Sequence, residues 1–189
     1  MEFIDLDFLQ DESIILKLTY LTEEVPEDGL VPAYYFNICL KDDDSTIIGT
    51  CDLRVGHNEK TYIGGNIGYQ IKEEYRGNGY SKKACLLLFE LARRNHMTYV
   101  IITTDPENRG SYKTCESLGC ELVEFKDVPH FHPLYKINGQ EKVRIYRHKL
   151  FWHKIYCVKI LNWYGVGTRC PILYGCTYSF KGGILWKTL

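Results

Sequence analysis

The sequence predicts an α/β fold of the α+β kind, a mixed, mostly antiparallel sheet with one strand–helix–strand crossover. Residues 14–72 fall into short strand-like runs separated by turn-rich segments, with no clear helix among them. From residue 79 the apolar spacing becomes that of a single helical face. That helix leads into "YVIITT", a continuous β-branched run of the kind found in buried parallel strands. Together these features require a crossover joined to an antiparallel meander.

The elements follow in order. Residues 14–21, "IILKLTYL", alternate as a strand, and "EEVPEDGLVP" is a turn-rich acidic connection. "AYYFNICLK" and "IIGTCDLRV" read as a hairpin around "DDDST". "HNEKTYIGG" reads as a further turn before a fourth strand, "NIGYQI". In the following helix Ala84, Leu87, Leu88, Leu91 and Ala92 share one face, and Arg93, Arg94 and His96 fall where cations complement the helix dipole. A second helix is expected from about Asn108 to Leu118, with Gly119 as its stop. "ELVEF", a loop rich in His and Pro, and "KVRIYRHKL" as a last strand complete the domain. A composition shift then marks a boundary. Residues 151–189 contain no Asp or Glu, hold three tryptophans and carry Lys154, Lys159, Arg169, Lys181 and Lys187. The expected organisation is a domain over 1–150 and a basic, aromatic appendage over 151–189, with "PILYGCTYSF" and "GILWKTL" as strand-like runs.

Bulk properties narrow the function classes. A chain of 189 residues with 45% hydrophobic content can bury a core, and a net charge of −1 argues against a broad basic field for nucleic acid. The acidic start, "MEFIDLDFLQDE", lacks the pattern of a secretory signal, and no run approaches the roughly 18 apolar residues of a membrane-spanning helix. The expected compartment is the cytoplasm. Eight cysteines without a CxxC pair read as reduced core thiols, and His130 with His132 lacks ligand partners, so no metal is expected.

The stretch "EEYRGNGYSKKA" carries the chemistry. Placed between a strand and a helix, its glycines let a bulky anion approach the unpaired N–H groups at the helix start. Arg76, Lys82 and Lys83 would add charge around it. The same stretch is also compatible with a solvated basic turn. Neither the Walker spacing nor GxGxxG is present.

With its surroundings, this stretch resembles the GCN5-related N-acetyltransferase (GNAT) family. The family's Arg/Gln-x-x-Gly-x-Gly/Ala loop falls on Arg76, Gly79 and Ser81, with Gly77 also typical and Ser81 a departure that keeps a small residue. Its Asn-x-x-Ser/Ala element falls on Asn108 and Ser111, followed by Leu118-Gly119-Cys120. The resemblance covers roughly residues 66–125. It implies a GNAT-like acyl-CoA-binding fold in which the strand ending at Lys72 splays from "YVIITT". The pantetheine arm of acetyl-CoA would pair near Tyr69 and Ile71. Gly77, Asn78, Gly79, Tyr80 and Ser81 would offer donors to the pyrophosphate, and Asn108 and Ser111 would hold the arm from the other side.

The implied reaction is direct transfer of an acetyl group to an amine of a small molecule or protein. It needs a base, an oxyanion donor on the fourth strand and a proton for the thiolate. Many family members carry a tyrosine seven residues after the Asn, where this chain has Cys115; Tyr112 is an alternative acid. For the base, Asp52 on the meander is a candidate, against the alternative of a surface ion pair with Arg54; His57 reads as a turn residue. The family's helices between its first two strands are shortened here to a turn-like connection. Something else must then close the acceptor pocket, the candidates being the aromatic tail and the "PHFHPLY" loop. The alternative reading is an acyl-CoA-binding module without transferase activity. Nucleic-acid binding through the tail is a third and is not expected. A monomer and a homodimer are both compatible with the sequence.

Overall fold

The computed structural model describes residues 6–150, 178–181 and 184–187, which fall into two units dividing between Phe151 and Trp152. In the first unit, strands β1 (Ile14–Thr22), β2 (Ala33–Leu40), β3 (Ile47–Arg54) and β4 (Ile67–Ile71) form an antiparallel sheet in that order. Helix α2 (Tyr80–Arg94) covers one of its faces, with Ala84, Cys85, Leu88, Phe89, Leu91 and Ala92 buried. They pack with Ile14, Leu16, Phe36, Ile38, Leu53 and Ile67 of the sheet. Alternation in the strands and the 3.6-residue period in the helix bring these apolar rows together.

A second antiparallel sheet has the order β5 (Tyr99–Thr104), β7 (Lys142–Lys149), β6 (Glu121–Asp127). Helix α3 (Arg109–Ser117) connects β5 to β6. The short helices α1 (Glu59–Gly64) and α4 (Pro133–Asn138) accompany a smaller cluster of Ile63, Ile101, Val128, Val143 and Ile145. In the second unit, β8 (Tyr178–Lys181) and β9 (Ile184–Lys187) pair as a hairpin. The other residues of the expected appendage lie outside the described ones.

Several expectations are corrected. "HNEKTYIGG" is not only a turn but contains α1, closed by a capping box in which Asn58 accepts from the Thr61 N–H and the Thr61 hydroxyl accepts from the Asn58 N–H. The "PHFHPLY" loop likewise runs into α4, capped by the His132 ring. "YVIITT" pairs antiparallel with β7 rather than forming a parallel ladder with β4. The connection between β1 and β2 has no α-helix, only a 3-10 turn at Pro26–Asp28, so the shortened N-terminal part is as expected.

The two sheets meet at Asn66, which is fully buried. Its N–H donates to the Ile101 carbonyl at 2.7 Å, and its Oδ1 accepts from the Ile101 N–H at 2.8 Å. Its Nδ2 donates to the Arg54 and Gly56 carbonyls. Gly65, beside it, has φ of +80°, and a Cβ there would come within 3.2 Å of the Thr103 nitrogen. Beyond this junction β4 and β5 form no ladder, so they belong to two separate sheets.

Candidate active site

A cavity of about 560 Å³ lies beside β4. One wall is the free edge of β4 at Tyr69, Gln70 and Ile71; the turn from Tyr75 to Ser81 and the start of α3 supply the others. Gly77 and Gly79 adopt φ of +84° and +76°, conformations that glycine reaches without steric cost. Gly79 is the N-cap of α2 and has no side chain to occupy the first N–H groups. They and the dipole of the 15-residue helix therefore face this end unpaired. Across the cavity, the Asn108 Oδ1 caps α3 by accepting from the Ser111 N–H at 3.0 Å, which leaves its Nδ2 as a free donor. Two contacts set the width of the gap. Tyr69 Oη shares a hydrogen bond of 2.9 Å with Ser111 Oγ, and Ser81 Oγ shares one of 3.2 Å with Thr114 Oγ1. Burial pushes the Tyr69 phenol well above its ordinary value, so it stays protonated.

Of the residues expected to hold the donor, Tyr69, Ile71, Arg76, Gly77, Gly79, Tyr80, Ser81, Asn108 and Ser111 all line this cavity. Asn78 does not; its amide donates to the Tyr75 and Arg76 carbonyls and shapes the turn. Arg76 is tied by its Nε to the Ile71 carbonyl at 3.1 Å. Lys83 turns away from the cradle. Its ammonium pairs with Glu12 at 2.6 Å and Asp11 at 3.6 Å, so it adds no free charge there. Gln70, inside the Tyr69 to Ile71 stretch expected to pair with the arm, also lines the cavity, as do Tyr75, Gly110 and Thr114, which were not anticipated. For Gly110 and Thr114 a signal exists, since they sit one turn apart on the helix that Asn108 begins.

The candidate proton donors lie elsewhere. Cys115 is fully buried in the main core and Tyr112 lies beneath the Arg144 guanidinium, 4.1 Å from the ring centre. Neither lines the cavity.

Asp52 lies on β3 directly opposite Gly68 of β4, and a Cβ on Gly68 would come within 2.5 Å of Asp52 Oδ1. The carboxylate is largely buried and pairs through Oδ2 with the Arg54 guanidinium at 3.0 Å. Burial pushes its carboxyl up, with Arg54 opposing the rise. Arg54 in turn donates from Nη1 to the Gly64 and Gly65 carbonyls, each at 3.0 Å. His57 stacks on Tyr99 with ring centres 4.0 Å apart. In the "PHFHPLY" segment, His132 packs close to Gly64, and His130 stacks on Tyr135. Among the described residues no cluster of three or more His, Cys, Asp or Glu is placed to hold a metal, and no helix is long and apolar enough to cross a membrane.

Comparison with known proteins gives the site its context. The acetyltransferase (GNAT) domain family model matches residues 12–121, well over half of the chain. Among solved structures, the ribosomal-protein-S5-alanine acetyltransferase from Vibrio fischeri superposes with a TM-score of 0.50 at 23% identity, over 62% of this chain and 61% of that one. A putative ribosomal-protein-serine acetyltransferase from Vibrio cholerae gives 0.48 at 21% identity, over 62% and 64%. The microcin C7 self-immunity acetyltransferase, solved with acetyl-CoA and AMP, gives 0.48 at 20%, over 62% and 61%. The chain thus spans less than two thirds of each of these proteins, and at such identities the likeness is one of fold. No curated protein matches the sequence. With more than half its length matched by the family model, the chain belongs to the GNAT acetyltransferase family.

Proposed function

We propose that this protein transfers an acetyl group from acetyl-CoA to a primary amine by direct attack. The observation that carries the reading is the cavity itself. It combines an unpaired strand edge, an uncapped helix start and a glycine turn, the complements of an amide-bearing arm joined to a pyrophosphate. Its volume of about 560 Å³ suits the arm and diphosphate, with the nucleoside projecting towards solvent.

In this reading the pantetheine amides pair with β4 at Tyr69 and Ile71, and Asn108 Nδ2 donates from the opposite wall. Gly77, Gly79, Tyr80 and Ser81 present main-chain N–H groups to the diphosphate, while Asn78 holds the turn. The amine nitrogen attacks the thioester carbonyl over Gly68, and Asp52 takes a proton from the incoming ammonium. A β4 N–H stabilises the oxyanion as the C–S bond breaks. Tyr69, protonated and hydrogen-bonded to Ser111 in the cavity wall, gives the departing thiolate its hydrogen bond in this reading. Tyr112 and Cys115 support the wall of α3 rather than touch the thioester.

One observation favours a second reading, an acyl-CoA-binding module without transfer. Neither Tyr112 nor Cys115 reaches the cavity, so the family's usual proton donor has no direct counterpart. Titration calorimetry with acetyl-CoA and with CoA tests the site, using the parent and Gly79→Trp. A Cβ at Gly79 meets no atom within 4 Å, so the indole enters open space and the left-handed backbone costs only about 1–2 kcal/mol. Saturable binding by the parent, lost in a variant that still melts cooperatively, supports the cradle; no binding by a folded parent refutes it. Amine-dependent release of CoA then separates the enzyme from the binding module.

A further inference from the structure

A row of side chains crosses the first sheet on the face away from α2. Tyr20 of β1 lies opposite Tyr35 of β2, Tyr35 opposite Asp52 of β3, and Asp52 opposite Gly68 of β4. Residues directly opposite in antiparallel ladders share a face, so the row runs unbroken to the strand that borders the donor cavity. Tyr20 and Tyr35 stack with ring centres 4.3 Å apart, and Tyr20 is 52% exposed. At the other end Gly68 leaves a gap that the Asp52 carboxylate overhangs. Aromatic faces beside a carboxylate are the surroundings a cation prefers, and at the Asp52 end Arg54 already supplies one, paired at 3.0 Å and anchored on the Gly64 and Gly65 carbonyls.

The connection leaving this row is charged in one sense. Residues 23–32 carry Glu23, Glu24, Glu27 and Asp28 and no Lys or Arg. All four are exposed, and none has a side-chain ion pair among the described residues. The segment is fixed rather than loose: Asn58 donates to the Gly29 carbonyl, Lys60 to the Asp28 carbonyl, and the Val55 N–H to the Pro32 carbonyl. A negative rim thus stands along the connection between β1 and β2.

We propose that the acceptor is an unhindered primary amine carrying at least one further positive charge, bound on this face with its reacting nitrogen over Gly68 beside Asp52. Its chain lies along Tyr35 and Tyr20, and its second charge meets the acidic connection. The proposal rests on the acetyl-transfer reading above. The step balances: the ammonium gives one proton to Asp52 and thence to solvent, and nitrogen attacks the carbonyl carbon. The C–S bond breaks, and the second nitrogen proton ends on the CoA thiolate. A free polyamine and a lysine in a basic peptide share this chemistry.

The test measures CoA release at saturating acetyl-CoA with four probes: pentylamine, 1,5-diaminopentane, spermidine and a short lysine-rich peptide. The expected result is a kcat/KM for a multiply charged amine at least tenfold above that for pentylamine, falling as salt is raised. Activity on spermidine or on the peptide identifies the carrier. The E23Q/E24Q/E27Q/D28N variant, altered only at exposed carboxylates, is expected to bring the preference towards one. Tyr20→Ser is expected to raise the KM of the charged amine without moving the acetyl-CoA Kd. Equal rates for all four amines, or a preference the neutralised variant retains, would overturn the proposal. Acetyl-CoA binding with no turnover of any probe would also overturn it, whereas failure to bind acetyl-CoA would remove the acetyl-transfer reading itself.

Discussion

At the scale of single residues, Asp52 shows how place decides chemistry. Beside Arg54 it reads as an ordinary surface pair, yet its position over Gly68 buries the carboxylate and pushes its pKa up. Its effects on stability and activity then run in opposite directions. Because the folded pKa lies above the unfolded one, the cost of ionised Asp52 is full above the folded value, fades as pH falls through the interval between the two and is gone below the unfolded value. The proposed reaction uses the carboxylate, so activity should fall as pH drops through the folded value. Asp52→Asn is expected to lower kcat by about 10²-fold or more, to leave the acetyl-CoA Kd unchanged and to remove the acid limb of the pH–rate profile. Arg54 keeps the Gly64 and Gly65 carbonyls as partners, so the variant should fold. An unchanged profile would remove Asp52 from the reaction. Lys83 gives the opposite lesson. In the sequence it stands among the basic residues of the turn, but its partners, Asp11, Glu12 and Ser13, are distant in the chain and cannot be read from local spacing. Lys83→Ala should leave acetyl-CoA affinity unchanged in calorimetry and barely move the midpoint of denaturant unfolding; a large loss of affinity would return it to the cradle.

At the scale of elements, the cavity proposed for the donor has a lining that sequence could suggest, because it depends on backbone. A helix start proposed to meet an anion would use Gly77 and Gly79, both at positive φ, and Asn108 caps α3, so each selects a residue type that stands out in sequence. Side-chain direction is less visible. Cys115 occupies the position of the family's tyrosine, yet α3 turns it into the core. The six-residue α1 escaped because so short a segment has little periodicity; the Asn58–Thr61 capping box was its available signal. The junction at Asn66 was also missed, since one polar residue before a strand is unremarkable until both its ends are paired. Its side chain stitches the start of β4 to β5 and fixes where the two sheets meet. Asn66→Ala would leave the buried Ile101 N–H and the Arg54 and Gly56 carbonyls without these partners, at an expected cost of about 2–4 kcal/mol in unfolding free energy. The same variant should weaken acetyl-CoA binding although residue 66 does not line the cavity. A variant that loses stability but keeps full affinity would show that the gap does not depend on this stitch.

At the scale of the first unit, two sheets are joined at Asn66, and a ligand in the cavity meets β4 of one sheet together with the starts of α2 and α3. Among the described residues β4 is paired with β3 on one side and with no strand on the other. The start of α2 is similarly uncapped while the body of the helix is packed. Acetyl-CoA bound as proposed would supply partners to these groups and none to the core, and this asymmetry can be measured. At a hundred times Kd, linkage alone contributes about 2.7 kcal/mol, an increase in Tm of roughly 5–10 °C for a chain of this size. Hydrogen exchange should locate the local part of the effect at the amides of residues 69–71 and 77–82, with smaller changes on β1 and β2, which lie farthest across the sheet from the gap. Gly79→Trp should abolish the Tm increase and the local protection together. Protection that appeared on β1 and β2 but not on β4 or the start of α2 would place the ligand elsewhere, and with it the direction from which an amine could reach the thioester.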